Sequence, residues 1–264
     1  MREPTRKPTV IITGASSGIG KSLAIAWGKR GANVVLGGRN DEALEAVARE
    51  VRAAGGVGIV EAGDITDEEQ RRLLIDRALH DTGRIDVLVN NAGRGYYAAF
   101  KDLDILEIES LFRLNVLAPV RLAQMALEPL MRSQGAVVML SSVAGVVAAP
   151  HLGAYAASKF ALEALSISMR AELRASGVRV VVVRPGPVST AFRKNSVAVG
   201  VPAGVRPAGA TEQTPDEIAR QTLLAVDRSS PVIETSAFVR VASFTSRVAP
   251  SLFRMVAARM ASKH

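Results

Sequence analysis

An alternation constrains this chain more than any other feature. Short apolar, β-branched runs are separated by longer segments with helical spacing, and the connections are short. The runs are Thr9–Thr13, Asn33–Leu36, Val57–Glu61, Ile85–Val89, Ala136–Leu140 and Val178–Val183. The segments between them are Gly20–Arg30, Asp41–Ala54, Asp67–Thr82, Leu103–Met131 and Tyr155–Ala175. A run that is apolar throughout suits a parallel strand buried on both faces. Repeated strand–helix–strand units lay helices on both faces of such a sheet. The chain is therefore expected to be α/β, a doubly wound parallel sheet whose ligands bind beyond the C-terminal strand ends. Asp41 and Asp67 are expected to cap helices, and Gly31, Gly55, Gly83 and Gly177 to end them.

The alternation runs unbroken to about Arg184, so one domain over 1–264 is expected rather than two. Beyond Pro185 the pattern changes. Val197–Pro215 is rich in Gly, Pro, Ala and Val and reads as a loop. A helix from about Pro215 to Asp227, a strand near Pro231–Thr235 and a tail helix over 250–264 are expected to follow.

Composition closes several routes. The chain has no cysteine, which excludes disulfides and thiolate metal sites and suits a reducing cytoplasm. Its three histidines, His80, His151 and His264, are scattered, so no metal site is expected. The polar segment Met1–Thr9 lacks the apolar stretch of a signal peptide, and no apolar run approaches the ~20 residues that span a bilayer. A soluble, cytoplasmic protein is expected. The formal charge of +8 suits a phosphate-bearing ligand, but also nucleic acid or an acidic membrane surface. Nucleic acid is not expected, because no basic cluster is interleaved with aromatics, which make up only 4% of the chain.

Two groups of residues carry chemistry. Thr13-Gly-Ala-Ser-Ser-Gly-Ile-Gly20 lies directly after the first strand and before the first helix. Glycines there let the backbone approach a pyrophosphate, and the free amides at the helix start attract its charge. The second group is Ser142, Tyr155 and Lys159. Tyr155 and Lys159 are four apart on a predicted helix and share a face. An ammonium there favours the phenolate and moves a pKa of about 10 toward the range useful for proton transfer. Ser142 follows a strand and could hold a substrate oxygen. A Tyr–Lys pair at this spacing is also common on helix surfaces, so spacing alone does not assign the role.

Taken together, these residues resemble the short-chain dehydrogenase/reductase family, over about residues 8–190. Its glycine motif is similar to Thr13-Gly14-x-x-x-Gly18-Ile19-Gly20, and its Asn-Asn-Ala-Gly to Asn90-Asn91-Ala92-Gly93. Asn115 matches its helix asparagine, Ser142 its serine, and Tyr155-Ala-Ala-Ser-Lys159 its Tyr-x-x-x-Lys. The resemblance implies a Rossmann fold with 8–190 as cofactor-binding and catalytic core and 191–264 as substrate loop and C-terminal extension. It implies Tyr155 as general acid in reduction and base in oxidation. Lys159 would hold the nicotinamide ribose and lower the tyrosine pKa, Ser142 would orient the carbonyl, and Asn115 would anchor a relay water. Gly14, Ser16, Ser17, Gly18, Ile19 and Gly20 would hold the pyrophosphate, and Asp64 and Ile65 the adenine. Asn91, Ala92 and Gly93 would steady the central strand ends beside the cofactor. Pro185, Gly186, Val188 and Thr190 would meet the carboxamide. A homodimer or homotetramer is implied as well.

The residue ending the second strand separates the two dinucleotides, since an acid there bonds the ribose 2′-hydroxyl and repels a 2′-phosphate. That position is Gly38, followed by Arg39, whose guanidinium can grip a phosphate bidentately. NADP is expected rather than NAD. The second basic residue that some NADP-type members carry before Gly18 is Ser17 here.

Arg94, Tyr96, Tyr97, Val143 to His151 and Phe192 are expected on the substrate side. Most are apolar or aromatic, which suits a hydrophobic ketone, aldehyde or secondary alcohol, although Arg94 or His151 could recognise an acidic group. The tail could form a basic amphipathic helix suited to a membrane surface. Its basic face is ragged, so packing on its own domain or on a second subunit is the preferred reading. The rival to an enzyme is a non-catalytic NADPH-binding sensor or scaffold, which would not need Tyr155 and Lys159.

Overall fold

The computed structural model describes residues 7–201 and 212–249. The expected tail helix, and residues 202–211 of the expected loop, lie outside the described residues. The first half of the chain runs β1 (Thr9–Thr13), α1 (Gly18–Gly28), β2 (Asn33–Gly38), α2 (Asp41–Ala53), β3 (Val57–Ala62), α3 (Glu68–Thr82) and β4 (Val87–Asn90). It continues through β5 (Tyr96–Ala98), α4 (Ile105–Phe112), α5 (Ala118–Met125), α6 (Leu127–Ser133), β6 (Ala136–Leu140), α7 (Gly153–Glu172) and β7 (Arg179–Arg184). Then come β8 (Val197–Val199), α8 (Pro215–Arg228), β9 (Val232–Glu234) and α9 (Ala237–Val248).

Seven strands form one parallel sheet in the order β3-β2-β1-β4-β6-β7-β9. The order reverses at β1, whose neighbours are β2 and β4, and in open sheets of this kind the ligand crevice lies at such a reversal, beyond the C-terminal strand ends. The apolar runs are explained by what their two faces meet. Val10 and Ile12 of β1, Val34 and Leu36 of β2, and Val89 of β4 bury against α1, α2 and α8. Ile11, Val35 and Leu88, one residue out of step, bury against α3, α5 and α7. Each side chain removed from water contributes roughly 1.5–3 kcal/mol, so both layers are firmly seated on the sheet.

The expected terminators do their work: Gly31, Gly55, Gly83 and Gly177 all take positive φ after helical segments. The capping differs from expectation. Asn40, not Asp41, caps α2, its side chain accepting from the Ala43 amide, while Asp67 precedes α3 without a side-chain cap bond. Asp41 stands instead in the first helical turn, where its charge favours the positive helix end.

The single helix expected over Leu103–Met131 is three helices. Between α4 and α5 the backbone widens into a π-helical turn at Arg113–Leu117, where the Ala118 amide bonds the Arg113 carbonyl five residues back. Pro119 is the cause: it has no N–H to give the Asn115 carbonyl four residues before it, and its ring crowds that carbonyl. The loop expected at Val197–Pro215 begins as β8, which pairs in parallel with β5 (Tyr96↔Val197, Ala98↔Val199). This small sheet stands beyond the ends of β4 and β7. No helix among the described residues is long and apolar enough to cross a membrane.

Candidate active site

The turn after β1 is built so that only small residues fit. Gly14 and Gly18 take φ of 64° and 54°. A Cβ on Gly20 would sit 2.2 Å from the Gly14 carbonyl oxygen, so α1 can begin close under the turn only with glycine there. The Asn91 side-chain amide donates to the Thr13 and Gly14 carbonyls at 2.9 and 3.0 Å. Thr13 returns the tie: its Oγ accepts from the amides of Asn91 and Ala92 at 3.1 and 3.0 Å and donates to the Val89 carbonyl. The end of β4 is thus riveted to the first turn. Ser17 precedes α1 without a side-chain cap bond, and no acid stands in the first helical turn. The amides of Ser17 to Gly20 therefore meet an anion without internal competition. Across the crevice, the Thr190 side chain is 3.1 Å from where a Gly18 Cβ would lie. A dinucleotide pyrophosphate fits this turn.

Arg39 is exposed at the end of β2, beside the first turn, whose Ala15 amide bonds the Gly37 carbonyl. Arg39 has no ion pair among the described residues, and the strand-end position itself is Gly38 rather than an acid. At the end of β3, Asp64 Oδ1 accepts from the amide and hydroxyl of Thr66, which fixes the Asp64–Ile65 turn against the same edge. Pro185 follows β7 and its carbonyl accepts from the Val143 amide, tying it to the turn after Ser142. Gly186 packs on Val239 and Ser236, and Val188 bridges Gln213 in parallel.

Asn115, 1% exposed, projects from the π-helical turn. Its side chain grips the Arg94 backbone at both ends, accepting from the amide at 3.1 Å and donating to the carbonyl at 3.0 Å. It also donates to Ser158, whose hydroxyl bonds the Tyr155 carbonyl. Gly93 passes so close that a Cβ would lie 3.1 Å from Asn115 Oδ1 and 3.7 Å from Lys159 Nζ. Ser142, Tyr155 and Lys159 meet here. Ser142 Oγ accepts from the Ala144 amide, and its hydroxyl is close enough to the Tyr155 phenol to favour the ionised form.

Tyr155 is buried, stacked on Tyr97 and tilted against Phe192, with ring centroids 6.5 and 5.9 Å away. Burial pushes its phenol well above the ordinary value; the Ser142 hydroxyl pulls the other way, and Tyr97 adds to the rise. Lys159 Nζ lies 5.9 Å from the Tyr155 ring centroid and donates to the Leu140 carbonyl at 2.8 Å. Desolvation is the largest influence on the phenol. Burial also brings Lys159 down to about 8, with the Glu163 carboxylate acting against that fall.

Sequence reasoning missed part of this site. Tyr97, expected on the substrate side, lies on the Tyr155 ring itself, with Arg193 5.8 Å from its centroid. Thr13 was noted for its place in a motif and not for its three hydrogen bonds. Glu163, one turn beyond Lys159, and Arg184, a cation ending an apolar run, were not singled out. Arg94, a candidate for binding an acidic group, is already paired to Glu107 at 2.8 Å. His151 takes a left-handed φ of 63° so that its carbonyl can accept from the Ala98 amide.

With this geometry, comparison with known proteins is direct. The family model for short chain dehydrogenase matches residues 8–199. The chain belongs to the short-chain dehydrogenase/reductase family, and oxidoreductase is its class. It is 34% identical over 271 residues to Dehydrogenase/reductase SDR family member 7B of Bos taurus, covering 98% of this chain and 83% of that protein. The crystal structure of a short-chain dehydrogenase from Streptomyces avermitilis superposes with a TM-score of 0.83 at 28% identity, covering 98% of both chains. A metagenomic short-chain oxidoreductase in complex with NADP superposes with a TM-score of 0.70 at 33% identity, covering 86% of this chain and 94% of that one.

Proposed function

We propose that this chain, acting as one domain, moves a hydride between NADP(H) and a hydrophobic ketone, aldehyde or secondary alcohol. Tyr155 would be the group that gives or takes the proton. The observation that carries this reading is the buried Tyr155 phenol, with the Ser142 hydroxyl acting on it and the Lys159 ammonium 5.9 Å from its ring, beside a turn that fits a pyrophosphate.

Gly14, Ser16, Ser17, Gly18, Ile19 and Gly20 would hold the pyrophosphate and Arg39 the 2′-phosphate. Asp64 and Ile65 would flank the adenine. Asn91, Ala92, Gly93, Pro185, Gly186, Val188 and Thr190 would frame the nicotinamide end. When bound, the dinucleotide supplies or accepts the hydride. The chain's own residues handle the proton. In reduction Ser142 Oγ donates to the substrate carbonyl oxygen and aims it at Tyr155, which delivers its phenolic proton; oxidation reverses both. The phenolate left behind is disfavoured by burial, so the Lys159 ammonium and the Ser142 hydroxyl must offset that cost. Asn115 holds the Arg94 backbone and, through Ser158, the helix carrying Tyr155; a relay water at its carbonyl completes the proposal.

NADP over NAD rests on the exposed Arg39 and the missing acid at Gly38. An apolar substrate is supported by Ala144, Leu152, Tyr97 and Phe192 around the phenol and by the engagement of Arg94 with Glu107. A homodimer or homotetramer is supported by the exposed apolar side chains of Leu117, Phe160 and Ile167, and is testable by light scattering. A cytoplasmic location belongs to the same proposal, with cell fractionation as its test.

The deciding experiment is a carbonyl and alcohol screen followed at the nicotinamide absorbance, with Tyr155→Phe beside wild type. Turnover should fall roughly 10²–10⁴-fold in the variant while NADPH binding persists. A folded, NADPH-binding wild type that turns over no substrate would leave a nucleotide sensor or scaffold instead.

A further inference from the structure

Behind Lys159 the structure buries charges that proton transfer at Tyr155 does not require. Glu163 lies one turn further along α7, on the face that carries Lys159, and is 5% exposed. Arg184, the last residue of β7, is 3% exposed and binds Glu163 through two bonds, Nε to Oε1 at 2.9 Å and Nη2 to Oε2 at 2.8 Å. Its third nitrogen, Nη1, donates to Glu234 at the end of β9 at 3.0 Å. Two cations and two carboxylates thus run in a row from the site to the sheet edge. There Arg184 and Glu234 line a surface pocket with Arg240 and Arg247 of α9.

Packing alone does not call for these charges, because replacing a buried ion pair by apolar residues is often neutral or stabilising. Removing one partner is another matter, since the other charge is then stranded. The placement is also specific. Arg184 immediately precedes Pro185 and Gly186, its guanidinium holds the helix of Lys159, and its carbonyl accepts from Thr235. Gly145, in the turn after Ser142, has just room for Glu163: a Cβ there would lie 3.0 Å from Glu163 Cγ.

We infer that Glu163 and Arg184 are a positioning pair for Lys159, holding its side chain in place and its ammonium charged, with Glu234 as the pair's outer anchor. This rests on the reading of Tyr155 and Lys159 as the proton-transfer pair. Tyr155 and Glu163 flank Lys159 on α7, and β6 gives it the Leu140 carbonyl. The Asn115 amide stands opposite, across Gly93. Arg184 and Glu234 act from behind Glu163, as does Arg170 of α7, which interacts with both Glu163 and Arg184. Tyr97 of β5 lies beyond Tyr155. Among these groups, Glu163 is the carboxylate that supports the Lys159 charge against desolvation. Neutralising it also leaves Arg184 facing Lys159 with only Glu234 in compensation.

The test is the pH profile of kcat/KM for ketone reduction with NADPH, read beside thermal stability and NADPH affinity. In Glu163→Gln the alkaline limb should move to lower pH by about one unit, and activity at pH 8 should fall roughly fivefold. Glu163→Asp, which keeps the charge, should bring the limb back toward wild type. Glu234→Gln, at the partly exposed outer end, should move it the same way by less, and this variant decides if Glu163→Gln does not fold. A folded Glu163→Gln whose limb stays at the wild-type pH, with any loss matched by lowered stability, overturns the inference. Unchanged turnover in Tyr155→Phe and Lys159→Met would overturn the proton-transfer reading itself, and this inference with it.

Discussion

The rings of Tyr97 and Tyr155 stack with centroids 6.5 Å apart and planes 27° from parallel. Tyr97 belongs to β5, and β5 is held by β8, so the strand pair carries one wall of the space around the phenol. Trimming that wall should change which substrates fit and leave the proton chemistry in place. Tyr97→Ala is expected to raise kcat/KM for a bulky aromatic ketone relative to a small one by roughly tenfold, the size of effect a changed apolar pocket produces. Equal ratios in wild type and variant would remove Tyr97 from the substrate wall.

Asn91 makes a different kind of contribution. Its amide satisfies the carbonyls of Thr13 and Gly14, and nothing in an alanine side chain can replace it. Asn91→Ala should lower the free energy of unfolding by about 1–3 kcal/mol, the cost of leaving partly buried carbonyls unpaired. Urea denaturation checks this. NADPH affinity should fall with it, because the turn that these bonds hold is the proposed pyrophosphate site.

Cofactor choice is testable at the end of β2. A Cβ on Gly38 would meet Leu44 Cδ2 at an ordinary 3.4 Å, so an aspartate fits there without strain. Gly38→Asp with Arg39→Ala should raise the Michaelis constant for NADPH at least tenfold and lower that for NADH, because the acid repels a 2′-phosphate and accepts from a 2′-hydroxyl. A wild type that prefers NADH would show instead that Arg39 is only a solvated charge.

These residues differ in how far the sequence revealed them. The central strands were legible because both their faces are buried, which leaves uninterrupted apolar runs such as Val10–Ile12. The phosphate turn was legible because its glycines answer a local need for positive φ and close approach. β5 and β8 are three residues each, too short for any period to show, and they form only by pairing across about a hundred residues. The π-helical turn was missed because Pro119 was not read against Asn115, four residues earlier, although that spacing is visible. Asn115, Ser142, Tyr155 and Lys159 could be named from motif spacing, yet not the direction of the Tyr155 shift, which follows from how tightly Tyr97 and Phe192 enclose it. Glu163 had a signal that went unread, an acid at i+4 from Lys159 on the buried face of α7.

Lys159 ties the site to stability. Burial brings its folded-state pKa from 10.5 to about 8, so between those values the unfolded chain holds a proton that the folded protein has released. Stability from this group therefore rises with pH across that window: the cost of burying the ammonium is full below about pH 8 and fades as pH approaches 10.5. Lys159→Met carries no such cost. Between pH 8 and 10 wild type should gain roughly 2 kcal/mol relative to the variant, read from urea unfolding at a series of pH values. A difference between the two proteins that stays constant from pH 7 to 10 would mean that Lys159 keeps its ordinary pKa in the folded protein. In that case the Leu140 carbonyl and Glu163 would together compensate burial in full.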